Sequence, residues 1–555
     1  MASALLDHLS PADIEQQIQT EISKLASSKR NTPDRHRSLW GVFAYSYQQL
    51  NLQAQQSFCQ LSIFTSRFNA AAASAIADAS PQILALLVNQ SLLKEVPTDD
   101  QAQAGYEMHR LLKQFAIEQM SHEPKLVSQL EERYLVYFIK FIYERVDSIR
   151  QGGPPAIFHE MDAAIDDIRL VWQKLITRLA AEASNHDELF NLFRSAAITG
   201  EHVIEHALEG LLSYYFAKGW LSEGLELTRS LNTLRIDNAL TLRGRLWEAE
   251  FLAGIGEYQS ADQMFNGVLE RSQHIDGSPI RAEALNGLGR VKYLQGDMGA
   301  AKQLFESGLQ FARMEEDPIL ISLALNCLAN TVAEAEMAYQ ETASLLSESL
   351  EISAAAGDQL GEARALVNLG ILAQEQDELQ KAKALYEKSL NLYQKIGYQH
   401  GIAAALKYLG HIANKNEDFS TARELLQQSI ELSIMTGDRR SEADCLRQMG
   451  NIERSQSRFN EALGQYEAAL AIAQTIGGDL LALGILCEIG EAHRLDDQPE
   501  AAAAISHYVL SHPAVGDEVS ALARDLLAKI EVVPVAHTED QSLSLGQMIE
   551  VALAP

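Results

Sequence analysis

LNGLG (285–289), LNCLA (325–329), LVNLG (366–370), LKYLG (406–410), LRQMG (446–450) and LCEIG (486–490) are one block written six times. The small residue closing each block is Gly289, Ala329, Gly370, Gly410, Gly450 or Gly490, so successive steps are 40, 41, 40, 40 and 40 residues. Ala249 stands 40 residues before Gly289 and adds a seventh unit. A period held within one residue over seven units predicts an array of equivalent units, each burying its apolar face against its neighbours.

A second landmark follows 12 residues after the small residue: Ala261, Ala301, Ala382, Ala422, Ala462 and Ala502. Four residues further on, several units carry an aromatic, Phe265, Phe305, Tyr386 or Tyr466, and a spacing of four places both on one helical face. Between the landmarks sit Gly256-Glu257 and Gly296-Asp297; units end in Gly357-Asp358, Gly397-Tyr398, Gly437-Asp438 and Gly477-Gly478-Asp479. Glycine can cap a helix in the left-handed conformation, so each unit reads as helix, turn, helix. The third unit departs, with Glu341 where alanine is expected and one residue inserted before Leu350.

L-x-x-L-G, a small residue 12 on and an aromatic four later resemble the tetratricopeptide repeat, whose usual period is 34. Six more residues per unit add about 1.7 helical turns, similar to the longer-helix variants of bacterial regulators and kinesin light chains. The small residue lets neighbouring helices approach closely, and Gly410 or Gly450 replaced by Leu is expected to clash.

The 555 residues suffice for several domains, and 47% hydrophobic content with 13 Pro and 33 Gly argues against disorder and against an all-β sandwich. The formal charge of -30 repels phosphate backbones and anionic lipid, so general binding to nucleic acid or membrane is disfavoured. Cys59, Cys327, Cys445 and Cys487 lie far apart with no C-x-x-C pair, which suits neither a disulfide framework nor a zinc knuckle. They read as small core hydrophobes. The start lacks a signal-peptide pattern and no apolar run reaches a membrane span, so a cytoplasmic chain is expected.

Upstream, residues 38–120 show no 40-residue echo and read as three helices, a two-stranded wing at Ser91–Val96 and Tyr106–Met108, and a further helix. This order resembles the winged-helix domain of NB-ARC and STAND signal-transduction ATPases, and residues 1–37 resemble the closing helices of the preceding small subdomain. Residues 121–240 read as a helical connector in which the segment from Ala207 is similar to a degenerate repeat, 241–532 as the array and 533–555 as a tail with one short amphipathic helix. No G-x-x-x-x-G-K-[ST] occurs in the sequence, so no phosphate-cradling loop is encoded. A nucleotide-binding core, where one serves this chain, is expected from a separate chain. The resemblance implies a nucleotide-sensing role for His109 in Tyr106-Glu107-Met108-His109-Arg110; the plain reading is a histidine making a local hydrogen bond.

Two constellations carry the remaining chemistry. His202-Val203-Ile204-Glu205-His206 is an H-x-x-E-H string that places two imidazoles and a carboxylate on one helix face, with Glu283 near the spacing of a third ligand. A zinc hydrolase is therefore one alternative, and a winged-helix transcriptional regulator another; repeat-surface histidines are the reading preferred, with no catalytic residue, metal or cofactor. The tetratricopeptide resemblance implies a concave groove lined by the first helix of each unit, at positions three before and one, four and five after the small residue. These hold Asn286, Arg290, Asn326 and Asn330, then Lys407, His411, Asn414 and Lys415, then Arg447, Asn451, Arg454 and Arg494. Guanidinium and amide groups suit a protein or peptide partner, acidic or C-terminal in character; intrahelical salt bridging is the plain alternative. The expected fold is all-α, a winged-helix module followed by a right-handed superhelix of helix pairs, and the expected function is non-enzymatic binding in bacterial signal transduction.

Overall fold

Helix starts near the N-terminus are set by short polar side chains. Asn51, Asn69 and Ser80 each accept a hydrogen bond from the backbone N–H three residues on, at 2.9, 2.8 and 3.4 Å. In the computed structural model these caps open α2 (Leu52–Gln60), α3 (Ala70–Ala77) and α4 (Pro81–Asn89), preceded by α1 (Leu39–Gln48). The structure describes residues 39–530 apart from 97–104, 122, 182–185, 195–197, 235–237, 274–278, 337, 477, 513–514 and 516, together with Met548. The expected segments 1–37 and 533–555 thus lie outside the described residues, Met548 excepted.

Strands β1 (Phe68–Asn69), β2 (Lys94–Val96) and β3 (Gly105–Glu107) form an antiparallel sheet in the order β1-β3-β2. Tyr106 sits opposite both Phe68 and Glu95. The sequence pattern expects strands at 91–96 and 106–108; the first starts later because Ser91 takes a left-handed φ of 55° and ends α4. The third strand joins where Phe68 stacks on Tyr106, ring centroids 6.1 Å apart. Helices α5 (Arg110–Met120), α6 (Pro124–Tyr143), α7 (Val146–Arg150), α8 (Pro155–Ala181) and α9 (Asp187–Asn191) follow. The described residues up to Glu144 and within His159–Ile204 make one compact unit. Within it, buried Asp167 of α8 accepts from Thr65 N (2.5 Å), Thr65 Oγ1 (2.7 Å), Ser66 Oγ (3.0 Å) and Tyr134 Oη (2.6 Å), so the carboxylate is fully ligated by neighbours.

Arg145–Phe158 and the described residues from Glu205 onward make the second unit. After α10 (Gly200–Lys218) and α11 (Leu221–Asn232), the repeats resolve into pairs. First helices are α12 (Ala239–Gly254), α14 (Ile280–Leu294), α16 (Pro318–Glu336), α18 (Gln359–Glu375), α20 (Gln399–Lys415), α22 (Arg439–Ser455) and α24 (Asp479–Leu495). Their partners are α13 (Tyr258–Ser272), α15 (Met298–Met314), α17 (Tyr339–Ala356), α19 (Leu379–Ile396), α21 (Phe419–Thr436), α23 (Phe459–Thr475) and α25 (Pro499–Ser511), and α26 (Asp517–Lys529) packs on the last pair.

The small residue works as expected. A Cβ on Gly450 would lie 2.5 Å from Tyr466 Cε1, and one on Gly370 2.5 Å from Tyr386 Cε1, so each ring rests on the bare backbone of its partner helix. At the array's end Leu526 of α26 takes the ring's place over Gly490. Ser389 and Ser429, both fully buried, donate to the carbonyls of Ala363 and Ala403 at 2.8 Å, tying second helix to first. The expectation for the third unit needs correcting. Thr342, not Glu341, fills the alanine position at 2% exposure, while Glu341 is exposed. The inserted residue is absorbed before Thr342, so the buried column keeps its helical phase.

Candidate functional site

First helices of neighbouring pairs touch one another: α12 with α14, α14 with α16, α16 with α18, α20 with α22 and α22 with α24. In a curved ribbon the concave side holds the more closely spaced elements, so the first helices form the inner face. Their side chains wall a cavity of about 410 Å³ and a smaller one of about 150 Å³, which share Phe216, Arg290, Leu323, Arg364 and Tyr398.

The structure puts the groove residues expected from the sequence in three settings, with Arg290 in two of them. Arg290, Asn326 and Asn330 wall the larger cavity and Asn286 the smaller. Asn286 and Asn326 are nonetheless buried, at 1% and 3% exposure. Asn326 Nδ2 donates to Ser322 O (2.9 Å) and Ser349 Oγ (2.5 Å), which fastens α16 to α17; its Oδ1 accepts from Asn368 Nδ2 (3.1 Å). Asn414 is half-buried and Lys415 exposed at the end of α20.

The third setting is that of residues tied to carboxylates. Lys407 and Arg447 both hold Asp444 at 2.8 Å, Arg454 holds Glu488 at 2.8 Å, and Arg494 grips Glu491 at 2.7 and 2.9 Å. Asn451 donates to Glu488 at 3.4 Å and accepts from Tyr466 Oη at 2.6 Å, while Arg290 pairs with Glu250. Burial alone would raise the Asp444 pKa, yet Lys407 and Arg447 hold it well below the usual carboxylate range. Among these cations His411 is pushed down to about 4, first by burial and then by Lys415 and Arg447.

The sequence phase omitted two inward columns, six and two residues before the small residue. They lie one turn from the columns that were counted, on the same helix face. They supply Asp444 and Glu488, and also Arg364 and Asn368 of the larger cavity. Tyr398 comes from the turn between α19 and α20, flanked by Tyr393 in the last turn of α19 and His400 in the first turn of α20, where the repeat landmarks give no signal.

At the array's first pairs a buried ionic cluster forms. Arg243 pairs with Glu205 (3.4 Å), Glu209 (3.1 Å) and Glu283; Arg150 meets Glu209 (3.8 Å), Glu283 (3.9 Å) and Asp317 (3.6 Å). The carboxylate of the H-x-x-E-H string is therefore engaged by a guanidinium, and Glu283 approaches it across Arg243. His202 is exposed. Among the described residues no three His, Cys, Asp or Glu side chains converge to hold a metal. Burial and the neighbouring Glu209 carboxylate raise the Glu283 pKa. His109 is exposed at the start of α5, its Nδ1 accepting from Leu111 N at 3.2 Å. Cys445 and Cys487 are buried and their thiols are pushed up to about 11 and about 12 by desolvation. No single helix among the described residues is long and apolar enough to cross a membrane.

A profile of the tetratricopeptide repeat family matches residues 240–314, 320–395 and 401–475. No curated protein matches the sequence. Among solved structures, a signal transduction ATPase with numerous domains and a tetratricopeptide repeat sensor, from Pyrococcus horikoshii, is 14% identical with a TM-score of 0.45, covering 95% of this chain and 72% of its own. A Rap protein complexed with competence and sporulation factor is 11% identical with a TM-score of 0.41, covering 67% and 99%. The APC/C hetero-tetramer Cut9-Hcn1 is 15% identical with a TM-score of 0.42, covering 80% of each chain. At these scores the structural likenesses assign this chain no role. The profile match and the packing of α12 to α23 together make residues 240–475 an array of tetratricopeptide repeats.

Proposed function

We propose that this chain is a non-catalytic binding protein that holds a segment of a protein or peptide partner along the inner face of its repeats, as the sensing part of a cytoplasmic signalling system. The observation that carries the reading is that first helices of successive pairs supply the inner walls, with amide and guanidinium groups interspersed along them. An acidic segment suits this lining, because it can exchange places with Asp444 and Glu488 on Lys407, Arg447 and Arg454. In the same reading residues 38–120 are a winged helix, His109 faces nucleotide only when a separate chain provides it, and residues 121–240 connect the two parts.

The test is affinity capture with wild type and with Arg447→Glu combined with Arg454→Glu, both checked for equal helicity and melting. Loss of the captured partner in the double variant supports the inner face. Unchanged capture means the partner binds elsewhere.

A further inference from the structure

The larger cavity holds two guanidinium groups that make no direct ion pair among the described residues. Arg290 is paired with Glu250, Arg439 with Glu442 at 2.5 Å, and Asp438 already caps α22 through Ser441 N at 2.9 Å with His400 3.8 Å away. Arg364 and Arg440 remain. Among the described residues Arg364 has no carboxylate at ion-pair distance: it feels buried Asp358 from further away, shares a hydrogen bond with Tyr398, and lies over the Tyr398 ring, 6.0 Å from the centroid. Arg440 shares a hydrogen bond with Tyr258, yet its Nη1 is shut off from solvent with no partner, and so is Nε2 of His400. A shielded guanidinium N–H without an acceptor is costly, and a chain of net charge -30 had acidic residues to place there. An anion from outside would satisfy these donors.

The remaining walls say what else the ligand carries. Phe216 stacks on His400 at 5.5 Å, Tyr398 stands 6.0 Å from His400, and Tyr393 5.7 Å from Tyr398. Because Phe216 belongs to α10 and His400 to α20, this stack joins the array's beginning to its fifth first helix and narrows the chamber. About 410 Å³ lies in the lower part of the range for small-molecule sites. We infer that this chamber takes a small organic anion, its carboxylate or phosphate head held by Arg364 and Arg440 and its carbon skeleton against Tyr393, Tyr398 and Phe216. The inference rests on the reading that ligands enter the inner face, but it names a small molecule where that reading names a partner segment.

Titration calorimetry at low ionic strength tests it, with succinate and citrate as carboxylate probes and inorganic phosphate and glycerol phosphate as phosphate probes. The expected result is a saturable one-site isotherm for one of the two groups, weakened at least about tenfold in Arg364→Gln and in Arg440→Gln, the loss of one charge-assisted contact. Arg313→Gln, on an exposed pair with Glu348, should bind as wild type does. If a Gln variant fails to fold, Arg364→Lys and Arg440→Lys keep the charge and should bind more weakly than wild type. Responses no greater than those of sodium chloride at matched ionic strength overturn the proposal, as does undiminished binding in the Arg364 and Arg440 variants. Capture of a protein partner by wild type is read separately, so failure here leaves the partner reading standing and failure there leaves this one.

Discussion

At the scale of single residues, the contact between one glycine and one ring decides how closely two helices approach. A methyl on Gly450 meets the rigid ring of Tyr466 at 2.5 Å, whereas on Gly410 it meets Leu426 Cγ at 2.9 Å, a side chain that can shift rotamer. Gly450→Ala is therefore expected to destabilise by about 1–3 kcal/mol and Gly410→Ala by less; thermal melts of the two variants should differ in that order, and the reverse order would show that the ring yields. His411 gives a second residue-level prediction. Its pKa is lowered from 6.5 to about 4, so the unfolded chain takes up the proton first as pH falls. Its contribution to stability is full above pH 6.5 and is lost as pH falls toward 4. His411→Gln should flatten the stability profile in that window, as read by urea midpoints. The nearby Asp444 is held well below that window, and Asp438, beside His400, is lowered to about 2.

Between elements, burial and charge work against each other. Arg243 of α12 ties α10 to α14 through Glu205, Glu209 and Glu283, and Trp247 adds an indole N–H to Glu209 at 2.8 Å. Removing the cation leaves three largely buried carboxylates with only the more distant Arg150 against Glu209 and Glu283, so Arg243→Met is expected to lose about 3–5 kcal/mol in urea denaturation. A loss under about 1 kcal/mol would mean that water reaches the cluster. Turns between elements follow a column of their own. Gly256, Gly296, Asp377, Glu417, Ser457 and Asp497 all take left-handed φ angles of 58–88° at equivalent turns. Glycine marks only the first two; the others tolerate the conformation because the helix-end hydrogen bonds repeat, as from Glu378 N to Ala373 O at 2.8 Å and Asp418 N to Ala413 O at 2.9 Å.

Across the repeat unit as a whole, the array curves back on itself. Gly152, Gly219 and Gly256 approach Ile396, Thr436 and Ile476, contacts between residues far apart in the chain that leave no periodic trace in it. The sequence by itself determined the repeat, its period, the helix pair and the buried small-residue columns, because these depend on neighbours at fixed spacing that each unit restates. Inward positions were legible in part: Lys407, Arg447 and Arg454 were found, but not the carboxylates that hold them, since Asp444 and Glu488 sit in columns one turn away. Only the tertiary structure decided which cations are neutralised and which are left facing the chamber. Arg364, Tyr398, His400 and Arg440 become neighbours of Phe216 and Tyr258 through the curvature of the array. That curvature is the sum of small rotations between successive pairs, a quantity no single unit encodes.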